Sequence, residues 1–189
     1  KSVVAQSLAQ FRGNYKYNLL DENLRAFNAQ VPMLAQWDDH EVTNDWSPIG
    51  TADETGYAED GTSRLVARAA RAFHEFMPIR STAAQAGRIY RKVSYGPLLD
   101  VFLIDMRSYR DSTLNRRGDG IDACILGPLQ LAWLKRELAT SDATWKVIAA
   151  DMPIGLFSED GIALGDGPPE RRECEIADLL SHMKRVGIR

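Results

Sequence analysis

Apolar positions along the chain follow two alternating patterns, and each pattern predicts a different kind of element. Short runs of branched and aromatic side chains indicate strands, whereas apolar residues three or four positions apart indicate amphipathic helices. Alternation of the two is typical of an α/β fold. The patterns predict helices at residues 1–12, 21–30, 63–77, 128–139 and 171–186, and strands at residues 31–37, 88–95, 98–104 and 145–150.

Local signals support several of these boundaries. Asp21 suits the N-cap of the second helix, and Pro78 ends the third. The turn at residues 95–97 predicts an antiparallel hairpin between the strands on either side of it. The spacing within the last helix predicts inward-facing side chains at Ile176, Leu179, Leu180 and Met183.

Long polar segments separate these elements, and such segments often carry function. They are predicted at residues 38–61, 106–127 and 153–169. In α/β sheets, ligands bind beyond the carboxyl ends of strands. Three predicted strands are followed directly by an aspartate, so the side chains to examine at one edge of a mixed sheet are Asp38, Asp105 and Asp151.

Composition narrows the class of protein. The chain has 189 residues, of which 44% are hydrophobic and 26% charged, as in an ordinary globular domain. Its formal net charge of −3 gives no overall attraction to nucleic acid or to anionic membranes. No apolar run approaches the roughly 18–20 residues of a membrane span. We therefore expect a single domain over residues 1–189, whose oligomeric state these features do not determine.

Familiar motifs of several enzyme classes do not occur. The chain lacks G-x-S-x-G, a Walker A loop, H-E-x-x-H and G-x-G-x-x-G, which disfavours an α/β-hydrolase, a P-loop NTPase, a zincin and a Rossmann dehydrogenase. Cys124 and Cys174 lack C-x-x-C spacing, and we interpret them as two structural thiols. His74 and His182 lie on predicted helices and are interpreted as structural residues.

The first polar segment carries the most informative cluster. It begins with Asp38, Asp39, His40 and Glu41, and Asn44 follows. Oxygen ligands suit hard cations, and an imidazole extends the choice to zinc and iron. Adjacent aspartates can share an ion only where the backbone turns. An imidazole titrates near neutral pH and suits general acid catalysis. The alternative is an acidic loop with helix-capping carboxylates and a surface histidine.

A second cluster contains two arginines three positions apart, Arg107 and Arg110. Guanidinium groups match phosphate geometry with paired hydrogen bonds. The alternative is that these arginines pair with Asp105 and Asp111 and serve the fold alone.

Residues 37–44, W-D-D-H-E-V-T-N, resemble the W-D-D-H-E-x-x-N signature of PhoD-type alkaline phosphatases, a branch of the calcineurin-like metallophosphoesterases. Other segments of the chain are also similar to this family. Each segment alone is weak evidence, but their order along the chain is specific, and together they cover most of the chain. Further similar segments are F-R-x-x-Y at 11–15, Y-G at 95–96, L-I-D-M-R-S-Y-R at 103–110, L-G-x-x-Q-x-x-W-L at 126–134, S-x-A-T-W-K at 141–146 and R-E-x-E-I at 172–176.

The resemblance implies part of a calcineurin-like sandwich of mixed sheets flanked by helices, and metal-dependent hydrolysis of phosphomonoesters or phosphodiesters. Asp39 occupies the place of the asparagine in the wider G-N-H-D/E motif and would bind metal, with Asp38 and Asn44 as further ligands or supporting contacts. His40 would contact the phosphate or protonate the leaving oxygen. Arg107 would steady the phosphate, a role that follows from guanidinium chemistry more than from the family.

The family's other metal-binding segments, of G-D-x-x-Y and D-V-H-Y type, do not occur in the chain. We therefore expect the central portion of such a domain, truncated at both ends, with part of the metal site and no activity of its own. The ion could be calcium, iron, manganese, magnesium or zinc, and the partner a phosphate ester. The resemblance also implies a periplasmic or secreted location. A non-catalytic α/β fragment and a different metallohydrolase remain as alternatives.

Overall fold

Helices and strands alternate along the chain, as the hydrophobic pattern predicts. The structure is a computed structural model that describes residues 5–44, 46–48, 59–80, 82–111, 124–153 and 172–188. The elements within these residues are the helices α1 (Leu8–Asn18), α2 (Glu22–Gln30), α3 (Glu59–Phe76), α4 (Pro128–Ala139) and α5 (Arg172–Arg185), a 3-10 helix (Ala83–Gln85), and the strands β1 (Arg91–Tyr95), β2 (Leu99–Leu103) and β3 (Trp145–Ala149).

The chain divides into two compact units. The first contains residues 1–46 and 51–88, and the second contains residues 47–50 and 89–189. The first unit therefore holds α1 to α3, and the second holds all three strands with α4 and α5. None of the described helices is both long and apolar enough to cross a membrane.

In the first unit, α1 packs against α3. The guanidinium of Arg12 donates to the Glu75 carboxylate at 2.6 Å, and Tyr15 stacks on Phe76 with 5.0 Å between ring centroids. A capping box starts α1: the Gln10 N–H donates to the Ser7 hydroxyl, and the Ser7 N–H donates to the Gln10 side chain. Because this box fixes the start of α1 at Leu8, the predicted helix over residues 1–12 is displaced; residues 1–4 lie outside the described chain.

The predicted N-cap at Asp21 is confirmed, since its carboxylate accepts the N–H groups of Asn23 and Leu24 at 2.8 and 3.0 Å. The predicted strand over residues 31–37 is wrong. The sheet of the described residues contains only β1, β2 and β3, and the first four residues of this segment are exposed. A run of strand-type side chains indicates extended backbone, but a strand also needs a pairing neighbour, which the pattern does not reveal.

In the second unit, β1 and β2 form the predicted antiparallel hairpin, and β2 pairs with β3 in parallel. Gly96 turns the hairpin with a φ of 62°, a left-handed conformation that glycine adopts without steric cost. The sheet order is β1-β2-β3. The hydrophobic core of this unit gathers side chains from β2, α4 and α5 and their connections: Tyr90, Phe102, Ile104, Met106, Ile125, Leu126, Trp133, Leu134, Leu138, Met152, Ile176 and Leu179.

Most other boundaries agree with the prediction to within a few residues, although α3 begins four residues before the predicted start and β1 begins three residues after it. On α5 the inward assignment of Leu180 is wrong, because that side chain is 55% exposed; Ile176 and Leu179 are buried and Met183 is partly buried. Of the predicted polar segments, residues 45, 49–58, 112–123 and 154–169 lie outside the described chain.

Candidate active site

Residues 38–44 form a tight turn in the first unit. The N–H groups of Val42 and Thr43 both donate to the Asp39 carbonyl, at 2.8 and 2.9 Å. The Glu41 carboxylate reaches back and accepts the Asp38 N–H at 2.6 Å. The chain therefore turns where the two aspartates occur, which is the condition under which adjacent carboxylates can face a common point.

Two tryptophans anchor this turn. Trp37 and Trp46 lie on either side of it, both are buried, and their rings meet edge to face with 5.4 Å between centroids. Trp37 also lies 5.9 Å from the ring of Phe73 on α3. Aromatic packing of this kind stabilises beyond simple burial. It holds the ends of the turn against the core of the unit.

Asp38, Asp39 and His40 each offer a ligand atom, and these atoms all lie within 4.8 Å of one another. Asp39 is buried at 5% exposure, Asp38 is half-buried and His40 is exposed. Two carboxylates and one imidazole form a donor set that fits a hard or borderline cation. Within the described residues this is the one such group of His, Cys, Asp and Glu side chains.

Asn44 lies beside His40. Its Oδ1 is 3.0 Å from His40 Nε2, and the Asp39 carboxylate is 3.9 Å from the same nitrogen. The hydrogen bond to Asn44, and then the charge of Asp39, raise the pKa of His40. A raised pKa favours the protonated ring, which is the form that can donate a proton. The Asn44 amide oxygen therefore lies within hydrogen-bond distance of the His40 ring.

A pocket of about 370 Å³ opens next to His40. Residues from α1 line it together with His40 and Glu41. Among them, Tyr15 has its pKa raised to about 12, first by burial and then by the charge of Glu41. The phenol therefore stays protonated and can donate a hydrogen bond. Tyr15 was not among the predicted site residues, although the F-R-x-x-Y segment contains it.

In the second unit, β2 and β3 run in parallel, so the aspartates that follow them lie at the same edge of the sheet. Arg107 joins this edge to the end of β3, because its Nε donates to Asp151 Oδ2 at 2.9 Å and both side chains are only 4% exposed. The Asp105 carboxylate accepts the backbone N–H groups of Arg107 and Ser108 at 3.0 and 2.9 Å. Asp151 is therefore one side-chain partner of Arg107, and the alternative considered from the sequence, pairing with Asp105 and Asp111, did not include it.

Gln130 on α4 holds the end of β2. Its Oε1 accepts the Asp105 N–H at 2.7 Å, and its Nε2 donates to the carbonyls of Asp105 and Leu126 at 2.8 and 3.0 Å. Gly127, just before α4, has a φ of 73°, and a Cβ added there would lie 3.1 Å from Tyr109 Cβ. The L-G-x-x-Q segment is the only signal in the sequence that could have pointed to this contact.

The two cysteines of the second unit are both thiols. Burial, followed by the charges of Asp111 and Glu175, raises the pKa of Cys124 to about 11. Because the thiolate is the reactive form, we expect iodoacetamide to alkylate Cys124 about 10²-fold more slowly than the exposed Cys174 at mildly alkaline pH. Peptide mass mapping over time would measure both rates, with Cys124→Ser and Cys174→Ser as controls. Equal rates would contradict this prediction.

Comparison with known proteins gives three findings. A family model described as PhoD-like phosphatase matches residues 1–189. Alkaline phosphatase D of Bacillus subtilis (strain 168) is 31% identical over 196 residues, which cover 93% of this chain and 33% of that protein. A solved structure described as "Structure of PhoD" superposes with a TM-score of 0.79 at 25% identity, over 96% of this chain and 37% of that chain.

The structural likeness confirms the expected calcineurin-like α/β fold class. The chain spans about one third of the length of the relatives that it matches.

Proposed function

The chain belongs to the PhoD-like phosphatase family. We propose that it is part of a longer protein, and that this longer protein hydrolyses phosphomonoesters or phosphodiesters with the help of bound metal. The observation that carries this proposal is the meeting of three ligand atoms, from Asp38, Asp39 and His40, within 4.8 Å at one turn. Residues 37–44, which form this turn, are also the segment that matches the W-D-D-H-E-x-x-N signature.

The two aspartates would be metal ligands in this proposal. Asp39 is the better placed, because it is the more buried of the two carboxylates and attraction to a cation is stronger where water is excluded. Asp38 is a second oxygen donor on the same turn. A bound divalent or trivalent ion, whether calcium, iron, manganese, magnesium or zinc, would polarise the phosphoryl oxygens and lower the pKa of a bound water.

His40 would donate a proton to the leaving oxygen. Its exposure gives a substrate access to the ring, and an imidazole titrates near neutral pH, as a general acid requires. Asn44, 3.0 Å from His40 Nε2, would fix the orientation of the ring. In this arrangement Asn44 supports the site through the histidine.

Arg107 is proposed to steady the phosphate. Its Nε–H donates to Asp151 at 2.9 Å, and its side chain is 4% exposed. Pairing through Nε holds the plane of the group, which is the condition for a bidentate contact. An Arg107→Lys variant keeps the positive charge but loses the paired N–H donors of the guanidinium. We propose this variant as the test of the role.

The isolated 189-residue chain is expected to bind divalent metal weakly and to hydrolyse p-nitrophenyl phosphate no faster than a blank with the same metal. Asp39, with Asp38 or Asn44, offers two or three oxygen donors from one turn, whereas Mg²⁺ takes about six ligands and Ca²⁺ about six to eight. Calorimetry and a colorimetric assay would measure both quantities. Metal-dependent turnover by this chain, abolished by Asp39→Ala, would contradict the prediction.

The proposed function is tested on the longer protein by removing metal with a chelator and restoring it. Activity towards p-nitrophenyl phosphate and bis-p-nitrophenyl phosphate should disappear and return. Asp39→Ala should weaken the restoration, while Asp142→Asn, which changes an exposed carboxylate outside the turn, should not. Chelator-resistant hydrolysis would count against a metal-assisted reaction, and no hydrolysis of any ester would favour a non-catalytic domain.

A further inference from the structure

A second, larger cavity of about 620 Å³ lies in the first unit, between α1, α2 and the end of α3. Several of its apolar side chains are substantially exposed; Phe27, for example, is 50% exposed. Apolar groups that remain exposed around a concavity mark a place where another apolar group binds. The side chains that give the cavity its apolar character include Leu24, Phe27, Val31, Met33, Phe76 and Met77.

This cavity adjoins the pocket beside His40, because Tyr15, Asn18 and Glu41 line both of them. A molecule with one end at His40 would have to pass these three side chains to enter the apolar cavity. Tyr15 and Asn18 lie on α1, and Glu41 follows His40 directly in the turn.

The shared wall also restricts the charge of such a molecule. Glu41 contributes a carboxylate to both cavities, and no Lys or Arg lines either one among the described residues. An anionic group would be repelled there, and it would lose hydration on entering the apolar part. A neutral hydrocarbon group loses no comparable hydration, and its burial is favourable.

We propose that this cavity binds the apolar organic group of the phosphate ester, so that the protein prefers esters of neutral alkyl or aryl alcohols. The inference rests on the proposed function, because it takes the phosphate to lie at the turn of residues 38–44. On hydrolysis, the P–O bond to the alcohol breaks and a water oxygen bonds to phosphorus. One proton of that water ends on the alcohol oxygen, and the other stays on the phosphate.

A series of n-alkyl phosphates from ethyl to hexyl tests this inference on the longer protein with metal. The alcohols of this series differ little in acidity, so the chemistry of the leaving group stays constant while the apolar area grows. Each methylene group buried in the cavity should raise kcat/KM by about fourfold. For glycerol phosphate, a polar ester of similar size, the cavity should not raise kcat/KM.

Phe27→Ala removes apolar surface from the cavity at a helical position where alanine is well tolerated. It should lower the ratio of hexyl to ethyl kcat/KM by about tenfold. Leu20→Ala is the matched control, because Leu20 is 73% exposed and is not part of the cavity wall. The control should leave the ratio unchanged.

Calorimetry with n-alkylphosphonates, which are not hydrolysed, adds a measurement that does not need turnover. Hexylphosphonate should bind about 10²-fold more tightly than ethylphosphonate, and Phe27→Ala should reduce that difference by about tenfold. Binding that is independent of chain length would overturn the inference, since it would mean that another part of the protein fills the cavity. If hydrolysis depends on metal and on His40 but the alkyl series is flat, the inference fails and the proposed function stands.

Discussion

Replacing His40 by alanine in the longer protein is expected to lower kcat by about 10² or more, the usual scale for a lost general acid. The histidine is exposed, follows the buried Asp39, and is held by Asn44 at 3.0 Å. Loss of a proton donor should matter most when the leaving alcohol is a weak acid. The decrease should therefore be larger for an alkyl phosphate than for p-nitrophenyl phosphate, and steady-state kinetics on both esters would measure it.

His182→Gln is the matched control, since that histidine lies on α5 and contacts Arg185 in the second unit. It should leave kcat unchanged. Asn44→Ala should give an intermediate decrease, because it removes the contact that orients the ring but keeps the imidazole. Near-normal kcat of His40→Ala on both esters would remove His40 from the mechanism.

Breaking the ion pair between Arg107 and Asp151 is expected to have the largest effect on stability. Both side chains are 4% exposed, so Asp151→Asn removes a carboxylate that faces a buried guanidinium. Loss of one partner of a buried pair costs about 3–5 kcal/mol, because the remaining charge has lost its hydration without compensation. Denaturant unfolding of the longer protein, compared between the variant and the parent, would measure this loss.

Two further variants test whether the loss of stability comes from the burial of the Arg107–Asp151 pair or from loss of an ion pair alone. Asp178→Asn breaks the ion pair between Lys135 and Asp178, in which Asp178 is 55% exposed, and should cost less than about 1 kcal/mol. Replacing both partners of the buried pair, as Arg107→Met with Asp151→Leu, should recover much of the stability lost in the single variant. Equal small losses for Asp151→Asn and Asp178→Asn would contradict the structural role of the buried pair.

The sequence predicted the fold well where a local pattern determines the element. Helices α4 and α5 were placed within a residue or two because their apolar spacing is helical over several turns, and Pro128 marks the start of α4. The hairpin of β1 and β2 follows from the turn at Gly96. The segment at residues 31–37 was mistaken for a strand, because pairing depends on a neighbour that is distant in the chain.

The candidate site was likewise predictable where its residues are close in the sequence, and not where they are distant. The cluster of Asp38, Asp39 and His40 was visible because its members are consecutive, and only the turn that brings them together had to come from the structure. The contact of Asp105 with Gln130 joins residues 25 positions apart, and the pairing of Arg107 with Asp151 joins residues 44 positions apart. No spacing rule for a single element reaches that far.

Gly127 sets a fixed spacing between α4 and the segment that follows β2. At a φ of 73° and with Tyr109 Cβ 3.1 Å from where a methyl group would stand, any larger residue would be strained and would push Tyr109 away. Three residues later, the Gln130 side chain accepts a hydrogen bond from the Asp105 N–H. The Asp105 carboxylate in turn accepts a hydrogen bond from the Arg107 N–H. A side chain at position 127 would therefore disturb the backbone that carries Arg107. A buried residue without a functional group thus affects the position of the arginine.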